Sequence, residues 1–564
     1  MSAKQTKGCQ FLEEKLAHES VTERFIIGAL LPTSQLLTLN SQHFNRKEYF
    51  KMIIKISMLV VFFAVMLGVG FYCRKNATDV NGFVLGGRSV GPWLTAFAYG
   101  TSYFSAVVFV GYAGQFGWKY GVAATWAGIG NALLGSLLAW AVLGRRTRVM
   151  TQHLGSATMP QFFSERYGSK SLKLMSSVII FVFLIPYTAS LYNGLSRLFG
   201  MAFNIDYSVC VIVMAVLTCV YVIAGGYMAT AINDFIQGII MLFGIVAVIF
   251  AVLKSNGGFI EALKSLSQVS TPETADMPGA FASFFGPDPV NLLGVVLLTS
   301  LGTWGLPQMV QKFYAIKSEK AINKGTIIST AFALVVAGGC YFLGGFGRLY
   351  GDKVDVVKDG FDVIIPAMLE DLPAILIAIV VILVLSASMS TLSSLVLTSS
   401  STLTLDFLKD SLKINMNEKK QLLIMRILIV VFIGISVVLA IVQYKSSVTF
   451  IAQLMGISWG ALAGAFLAPF LYGLYWKRAT KLACWVSFIF SSVFMLLIIS
   501  PLKEFFPAVL RSPINAGAFS MVMGLIIVPV VSLVTKPPKK EKVEEIFACY
   551  EKKVTVTVKT AIED

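Results

Sequence analysis

The sequence predicts an all-α protein that crosses a membrane many times, and two observations carry that prediction. The chain has 564 residues, of which 56% are hydrophobic, and its mean hydropathy is +0.75. A soluble protein of this length is far less apolar. The long apolar runs lack the polar and apolar alternation of barrel strands, and unpaired backbone groups are very costly in lipid. We therefore expect these runs to be helices.

About thirteen segments reach the roughly 20 residues that a helix needs to cross a bilayer. These predicted spans cover residues 52–73, 91–117, 121–144, 171–200, 206–225, 229–253, 289–313, 322–348, 374–405, 421–443, 447–475, 480–500 and 515–535. Basic connections, such as the one holding Lys312, Lys317, Lys320 and Lys324, fall on alternate sides. The positive-inside rule then predicts a cytoplasmic C-terminus and an extracellular N-terminus. The net charge of +16 is explained by this asymmetry, so we expect a lipid bilayer as partner and no nucleic acid.

The first 51 residues do not fit the charge pattern. They lack a clean signal peptide and would place Lys4, Lys7 and Arg46 on the outer side. We expect residues 1–51 to be either a non-native extension upstream of Met52 or a disordered tail.

Hydroxyl side chains interrupt the very apolar run from Leu372 to Leu405. Ser386, Ser390, Ser393 and Ser394 follow each other at i, i+4, i+7 and i+8, with Thr391 at the edge of the same helix face. Such a stripe can replace the water shell of a small hard cation, for which sodium is the obvious candidate. The alternative is a packing seam, in which the hydroxyls bond to carbonyls of the preceding turn.

Two of the apolar runs contain helix breakers in their middle. Gly100 is followed by small hydroxyl residues, and Gly302, Gly305 and Pro307 stand close together five spans later. Two broken helices at this spacing indicate a transporter built from two inverted repeats of five helices. Simple kinks remain the alternative, since Gly and Pro are common in membrane helices.

One further acid lies within a predicted span. Asp234 is about one turn into its helix, so it is either an acid favoured by the helix dipole or a cation ligand. The seven cysteines are scattered without a CxxC pair, and the three histidines form no metal-binding pattern. No nucleophile constellation is visible. We therefore expect neither an enzyme nor an enzymatic cofactor.

The residues resemble the sodium:solute symporter family, with features of its proline and pantothenate branches. The resemblance extends over about residues 52–535, and its order and spacing of motifs are specific. It rests on Leu85-Gly-Gly-Arg-Ser-Val-Gly-Pro, on the first interrupted run, on Gly225-Gly-Tyr-Met-Ala with Asp234 and Gln237, and on Ser388-Met-Ser-Thr-Leu-Ser-Ser.

The resemblance implies a leucine-transporter-type core of 5+5 helices. The implied parts are a leading helix at 52–73, repeats at 91–253 and 289–475, two trailing helices at 480–535 and a cytoplasmic tail at 536–564. The main sodium site would use Thr101, Phe104, Ala387, Ser390 and Thr391. A second sodium site, present in some members, would use Asp234, Ser390, Ser393 and Ser394.

The resemblance identifies the solute less specifically than it identifies the sodium site. Sugar-transporting members carry an acid and an amide where this chain has Val107 and Val108, and proline transporters carry an Asp where it has Tyr103. Helix N-termini at the two breaks favour a carboxylate. We expect a sodium-coupled importer of a small carboxylate-bearing solute, such as proline, pantothenate or a monocarboxylate. The residues expected to face it are Tyr103, Phe104, Thr303 and Trp304.

Other functions remain open at this point. A sodium-coupled sugar or sialic acid symporter is the alternative within the family. A transport-like sensor is disfavoured because only about 30 residues follow the last span. A cation channel is disfavoured because channels arrange carbonyls or charges in rings around an axis. The family places the protein in the plasma membrane as a multi-pass protein, with a bacterial inner membrane as the expected location.

Overall fold

The computed structural model describes residues 46–203, 206–446 and 451–551. Of the predicted N-terminal extension, residues 1–45 lie outside the described part. The chain divides into two units, Met1–Ser57 and Met58–Asp564, and the described residues of the first unit are helical. The first helix begins in that unit, and the other helices lie in the second unit.

The described chain is built of α-helices joined by short turns. The first half contains α1 (Arg46–Tyr72), α2 (Val80–Leu85), α3 (Pro92–Tyr103), α4 (Ala113–Tyr120), α5 (Thr125–Gly130), α6 (Arg145–His153), α7 (Met159–Tyr167), α8 (Lys170–Phe203), α9 (Tyr207–Ser255) and α10 (Phe259–Gln268). The second half contains α11 (Pro289–Gly305), α12 (Pro307–Ala315), α13 (Glu319–Gly344), α14 (Ile364–Leu369), α15 (Ala374–Thr402), α16 (Glu418–Ser446), α17 (Ile451–Tyr475), α18 (Lys481–Ile499), α19 (Pro513–Val534) and α20 (Lys540–Phe547). Stretches of π-helix cover Val107–Tyr112, Asn131–Leu138, Trp140–Gly144 and Leu403–Ser411.

The predicted all-α class is confirmed, whereas the count of thirteen spans is not. Within the described residues no strand forms, and an isolated parallel bridge joins Val90 to Ile316. In the described part of the chain, ten helical segments are long and apolar enough to cross a membrane, or eleven if the bent pair α11 and α12 is one span. The segment α9 covers two of the predicted spans and consists of two helices that meet at a kink, where the backbone of Gly226 is non-helical, with φ 55° and ψ −148°. At about 1.5 Å per residue, each of the two helices is about long enough to cross a bilayer core.

The first helix break lies at Phe104 and not at Gly100. Helix α3 ends at Tyr103, and Phe104 is extended, with φ −89° and ψ 118°. Gly100 lies inside α3, where a Cβ atom would stand 2.4 Å from Cδ1 of Phe332 in α13. The glycine therefore permits close packing between α3 and α13, and it does not unwind the helix.

The second helix break lies between Gly302 and Pro307, where the sequence predicts it. Helix α11 ends at Gly305, Leu306 is extended, and α12 begins at Pro307 with its axis bent by 46°. Proline suits this first helical position because its missing N–H would lack an intrahelical partner anyway. Gly302 packs against α17, since a Cβ atom there would lie 2.4 Å from Cε3 of Trp459.

Helix α15 carries the hydroxyl stripe and is enclosed by protein. Every residue from Val380 to Thr402 is buried. Its neighbours include α8, α9 and α3, and α3 in turn packs against α9, α12 and α13. The two broken helices and the hydroxyl stripe therefore meet around one stretch of α15.

Candidate functional site

Five oxygen atoms from the end of α3, from Phe104 and from α15 converge at the first helix break. The Oγ of Ser390 lies 3.2 Å from the carbonyl oxygen of Thr101 and 3.0 Å from that of Ala387. The Oγ1 of Thr391 lies 3.1 Å from the carbonyl oxygen of Thr101 and 3.2 Å from that of Phe104. It is also 3.1 Å from the carbonyl oxygen of Ala387. All five residues are buried, so the structure brings together the whole set predicted for the main sodium site.

This cluster holds more acceptor oxygens than protons. The hydroxyl of Thr391 carries one proton, yet three carbonyl oxygens surround it within 3.2 Å. The break explains one of them, because the N–H of Val108 donates to Ser105 and leaves the carbonyl of Phe104 without its usual helical partner. Bonds to the preceding turn account for the contacts with Ala387 in the same helix, whereas the carbonyls of Thr101 and Phe104 belong to a second segment of the chain. A small hard cation would satisfy the remaining lone pairs.

The second predicted set surrounds a lysine that the sequence analysis missed. The ammonium of Lys312 donates to Oγ of Ser394 at 3.0 Å and lies 3.8 Å from Oδ2 of Asp234. Ser393 donates to the carbonyl of Ser390 in its own helix, at 2.9 Å. The sequence analysis counted Lys312 with a basic connection, but it lies little more than one turn into α12. Its short distance from the break at Pro307 was the signal that it is still inside the span.

Two of the predicted solute-facing residues have their polar atoms engaged elsewhere. Thr303 donates to the carbonyl of Gly135 at 2.9 Å, and the indole N–H of Trp304 donates to that of Leu134 at 2.9 Å. Both side chains thus fasten α11 to the π-helical stretch Asn131–Leu138. Phe104 is buried, and the side chain of Tyr103 lies outside the described residues.

Aromatic residues from α8 and α17 lie beside the two breaks instead. The rings of Tyr187 and Trp459 meet edge to face, with centroids 5.9 Å apart. Trp459 rests on Gly302, and the Tyr187 hydroxyl lies close to the side chains of both Trp459 and Ser105. Neither the Tyr187 hydroxyl nor the Trp459 N–H has an aligned hydrogen-bond partner in the described part of the chain. Little in the sequence indicates this pair, because neither helix carries a motif.

A buried amide lies at the start of the second half-helix. Both amide atoms of Gln308 are buried and without a hydrogen-bond partner among the described residues. Gln308 follows Pro307 at the N-terminus of α12, which is the positive end of the helix dipole. An unpartnered amide costs free energy in an apolar interior unless something binds it.

An all-helical membrane protein with two broken helices and a buried cluster of oxygens has the architecture of a secondary transporter. The sequence matches the sodium:solute symporter family over residues 83–490, which is well over half of the chain. Similar curated proteins are the sodium/proline symporters of Staphylococcus aureus strains JH9 and NCTC 8325 / PS 47. Each is 32% identical over 441 residues, covering 75% of this chain and 81% of the relative.

A solved structure shares the fold. It is a Na⁺-coupled sialic acid symporter in a substrate-bound, outward-open state, with a TM-score of 0.68 and 18% sequence identity. The match covers 86% of this chain and 99% of that one, and it confirms the leucine-transporter-type fold class. The chain belongs to the sodium:solute symporter family. It is a multi-pass membrane transporter that couples sodium to a small solute, and it is not an enzyme.

Proposed function

We propose that this symporter imports a small carboxylate-bearing solute, either an amino acid such as proline or an organic acid such as pantothenate or a monocarboxylate. Sodium binds to the main set formed by Thr101, Phe104, Ala387, Ser390 and Thr391. The main support for this sodium site is that three acceptor oxygens surround the single hydroxyl proton of Thr391. The sodium/proline symporters at 32% identity support an amino acid as solute.

Sodium at this position couples the two ligands through α3 and α15. The cation ties the carbonyls of Thr101 and Phe104 to the hydroxyls of Ser390 and Thr391, and so fixes the broken end of α3. A solute that needs this end in place binds more tightly when sodium is present, and by linkage sodium binds more tightly with solute. Movement of one repeat against the other then exposes both ligands to the opposite side of the membrane.

The solute lies between the two breaks, beside Tyr187 and Trp459. The N-terminus of α12 and the amide of Gln308 supply a positive dipole end and a hydrogen-bond donor for a carboxylate. The amide of Gln308, which has no hydrogen-bond partner among the described residues, supports this placement. Tyr103 and Phe104, at the end of α3, complete the proposed pocket, whereas Thr303 and Trp304 serve the packing of α11.

The membrane orientation belongs to the same proposal. The C-terminus lies in the cytoplasm, the N-terminus outside, and residues 91–253 and 289–475 form the two repeats, in the plasma membrane of a bacterial cell. Protease treatment of right-side-out and inverted membrane vesicles tests this, because a cytoplasmic tail that follows α19 is cut only in inverted vesicles.

Uptake into proteoliposomes tests the proposed function. Purified protein is reconstituted and supplied with labelled proline, pantothenate, a short monocarboxylate, sialic acid and glucose, each with and without an inward sodium gradient. We expect sodium-dependent accumulation of one of the small carboxylates. Accumulation of glucose or sialic acid would favour the alternative solute class, and accumulation without sodium would contradict the coupling.

A further inference from the structure

A buried lysine ammonium lies where the second predicted sodium set would hold its ion. We propose that Lys312 is a built-in cation that takes the place of a second sodium ion, so that the symporter binds a single sodium, at the main set. The proposal rests on the proposed function, because it needs the main sodium site formed by Ser390 and Thr391.

The surroundings of Lys312 are those of a bound cation. Its Nζ lies 3.0 Å from Oγ of Ser394, 3.8 Å from Oδ2 of Asp234 and 5.1 Å from the centroid of the Tyr227 ring. These partners supply a hydroxyl oxygen, a carboxylate and an aromatic face, all of which attract a positive charge. Lys312 is 1% exposed and Asp234 is 0% exposed, so each of the two charges depends on the other.

A sodium ion at this position would compete with the ammonium of Lys312 for Asp234, whose carboxylate oxygens have no hydrogen-bond partner among the described residues. Asp234 is the carboxylate of the predicted set, and Lys312 already balances its charge. The hydroxyl of Ser394 accepts from Lys312 and shares a second hydrogen bond of 3.0 Å with Ser102. The hydroxyl of Ser393 donates back to its own helix. A second cation here would be repelled by the ammonium at close range in a buried setting.

The ammonium of Lys312 also links α3 and α15, the two helices that sodium links at the main site. Lys312 connects the second broken helix, α12, to α15 through Ser394, and Ser394 connects to α3 through Ser102. Ser394 follows Ser390 by one turn, about 6 Å along the helix axis. A second sodium ion would be released into the cytoplasm, and its movement down the sodium gradient would add to the free energy that drives uptake. A lysine remains with the protein, so this position holds the helices together without adding to the driving force.

Counting bound sodium ions tests the proposal. Radioactive sodium binding to the purified full-length protein is measured at saturation for the native chain, for Lys312→Met, and for Lys312→Met combined with Asp234→Asn. We expect one sodium ion per native chain. Lys312→Met exposes Asp234 and Ser394 to solution ions, so bound sodium rises about twofold, and the double variant returns to one. Lys324→Met, which removes an exposed lysine from α13, is the matched control and stays at one.

Other outcomes separate this proposal from the proposed function. Two sodium ions bound by the native chain would overturn the role of Lys312, and so would a folded Lys312→Met protein that still binds one. A native chain that binds no sodium would contradict the main site instead. If Lys312→Met does not fold, the native count still decides, and Lys312→Arg, which keeps the charge, is expected to bind one.

Discussion

Replacing Thr391 by valine tests the main sodium site most directly. Valine has nearly the same shape as threonine but lacks the oxygen that stands 3.1 to 3.2 Å from three carbonyl oxygens. Loss of one interaction with a charged group costs about 1.5–3 kcal/mol. Since about 1.4 kcal/mol corresponds to tenfold in binding, the sodium concentration for half-maximal uptake should rise about 10- to 140-fold.

The assay is the initial rate of sodium-dependent uptake in proteoliposomes across a range of sodium concentrations, with the amount of folded protein measured in parallel. Thr391→Ser keeps the hydroxyl and should restore most of the sodium affinity. Ser390→Ala should raise the sodium requirement in the same direction. Ser401→Ala is the matched control, because Ser401 is a buried serine of the same helix whose hydroxyl donates to the carbonyl oxygen of Thr398, at 3.1 Å.

The main sodium site is refuted if both Thr391→Val and Ser390→Ala keep a half-saturating sodium concentration within about twofold of the native value. The hydroxyls of α15 would then be a packing seam between helices. A fall in protein abundance that matches the fall in uptake, with unchanged sodium dependence, would point the same way.

Two other predictions concern stability. Gly302→Ala forces a Cβ atom to within 2.4 Å of the Trp459 ring, so it should destabilise the folded protein by about 1–3 kcal/mol. Gly434→Ala is the control, because Gly434 has open space around it and the substitution should not destabilise the protein. Thermal unfolding in detergent compares the two variants. Burial raises the pKa of Asp362, in the connection before α14, to about 6. Its proton is therefore held more tightly in the folded state, and the free energy of unfolding should fall by up to about 3 kcal/mol as pH rises from about 4 to above 6. Asp362→Asn should remove this part of the pH dependence, and an unchanged pH profile would contradict the assignment.

The sequence by itself determined the fold class and the second break. Hydropathy and periodicity are local properties, so the all-helical class followed from long apolar runs, and the break at Leu306 followed from Gly305 and Pro307 on either side. The resemblance named the five residues of the main set, and the structure places their oxygens in contact. The residue pattern alone indicated only Ser390 and Thr391 of this set, as members of the hydroxyl stripe, and Thr101, Phe104 and Ala387 came from the resemblance.

Only the tertiary structure decided which side chains face each other. Nothing in the sequence around Gly100 indicates that Phe332, more than 200 residues away, fills the space beside this glycine. The sequence shows that Thr303 has a hydroxyl, but it does not show whether this hydroxyl faces a solute or, as in the structure, the carbonyl of Gly135. Lys312 carried the same charge as the lysines of a loop, and its burial against Asp234 arises from the packing of α12 on α9 and α15. Such contacts depend on the relative positions of helices far apart in the chain, and no local pattern encodes them.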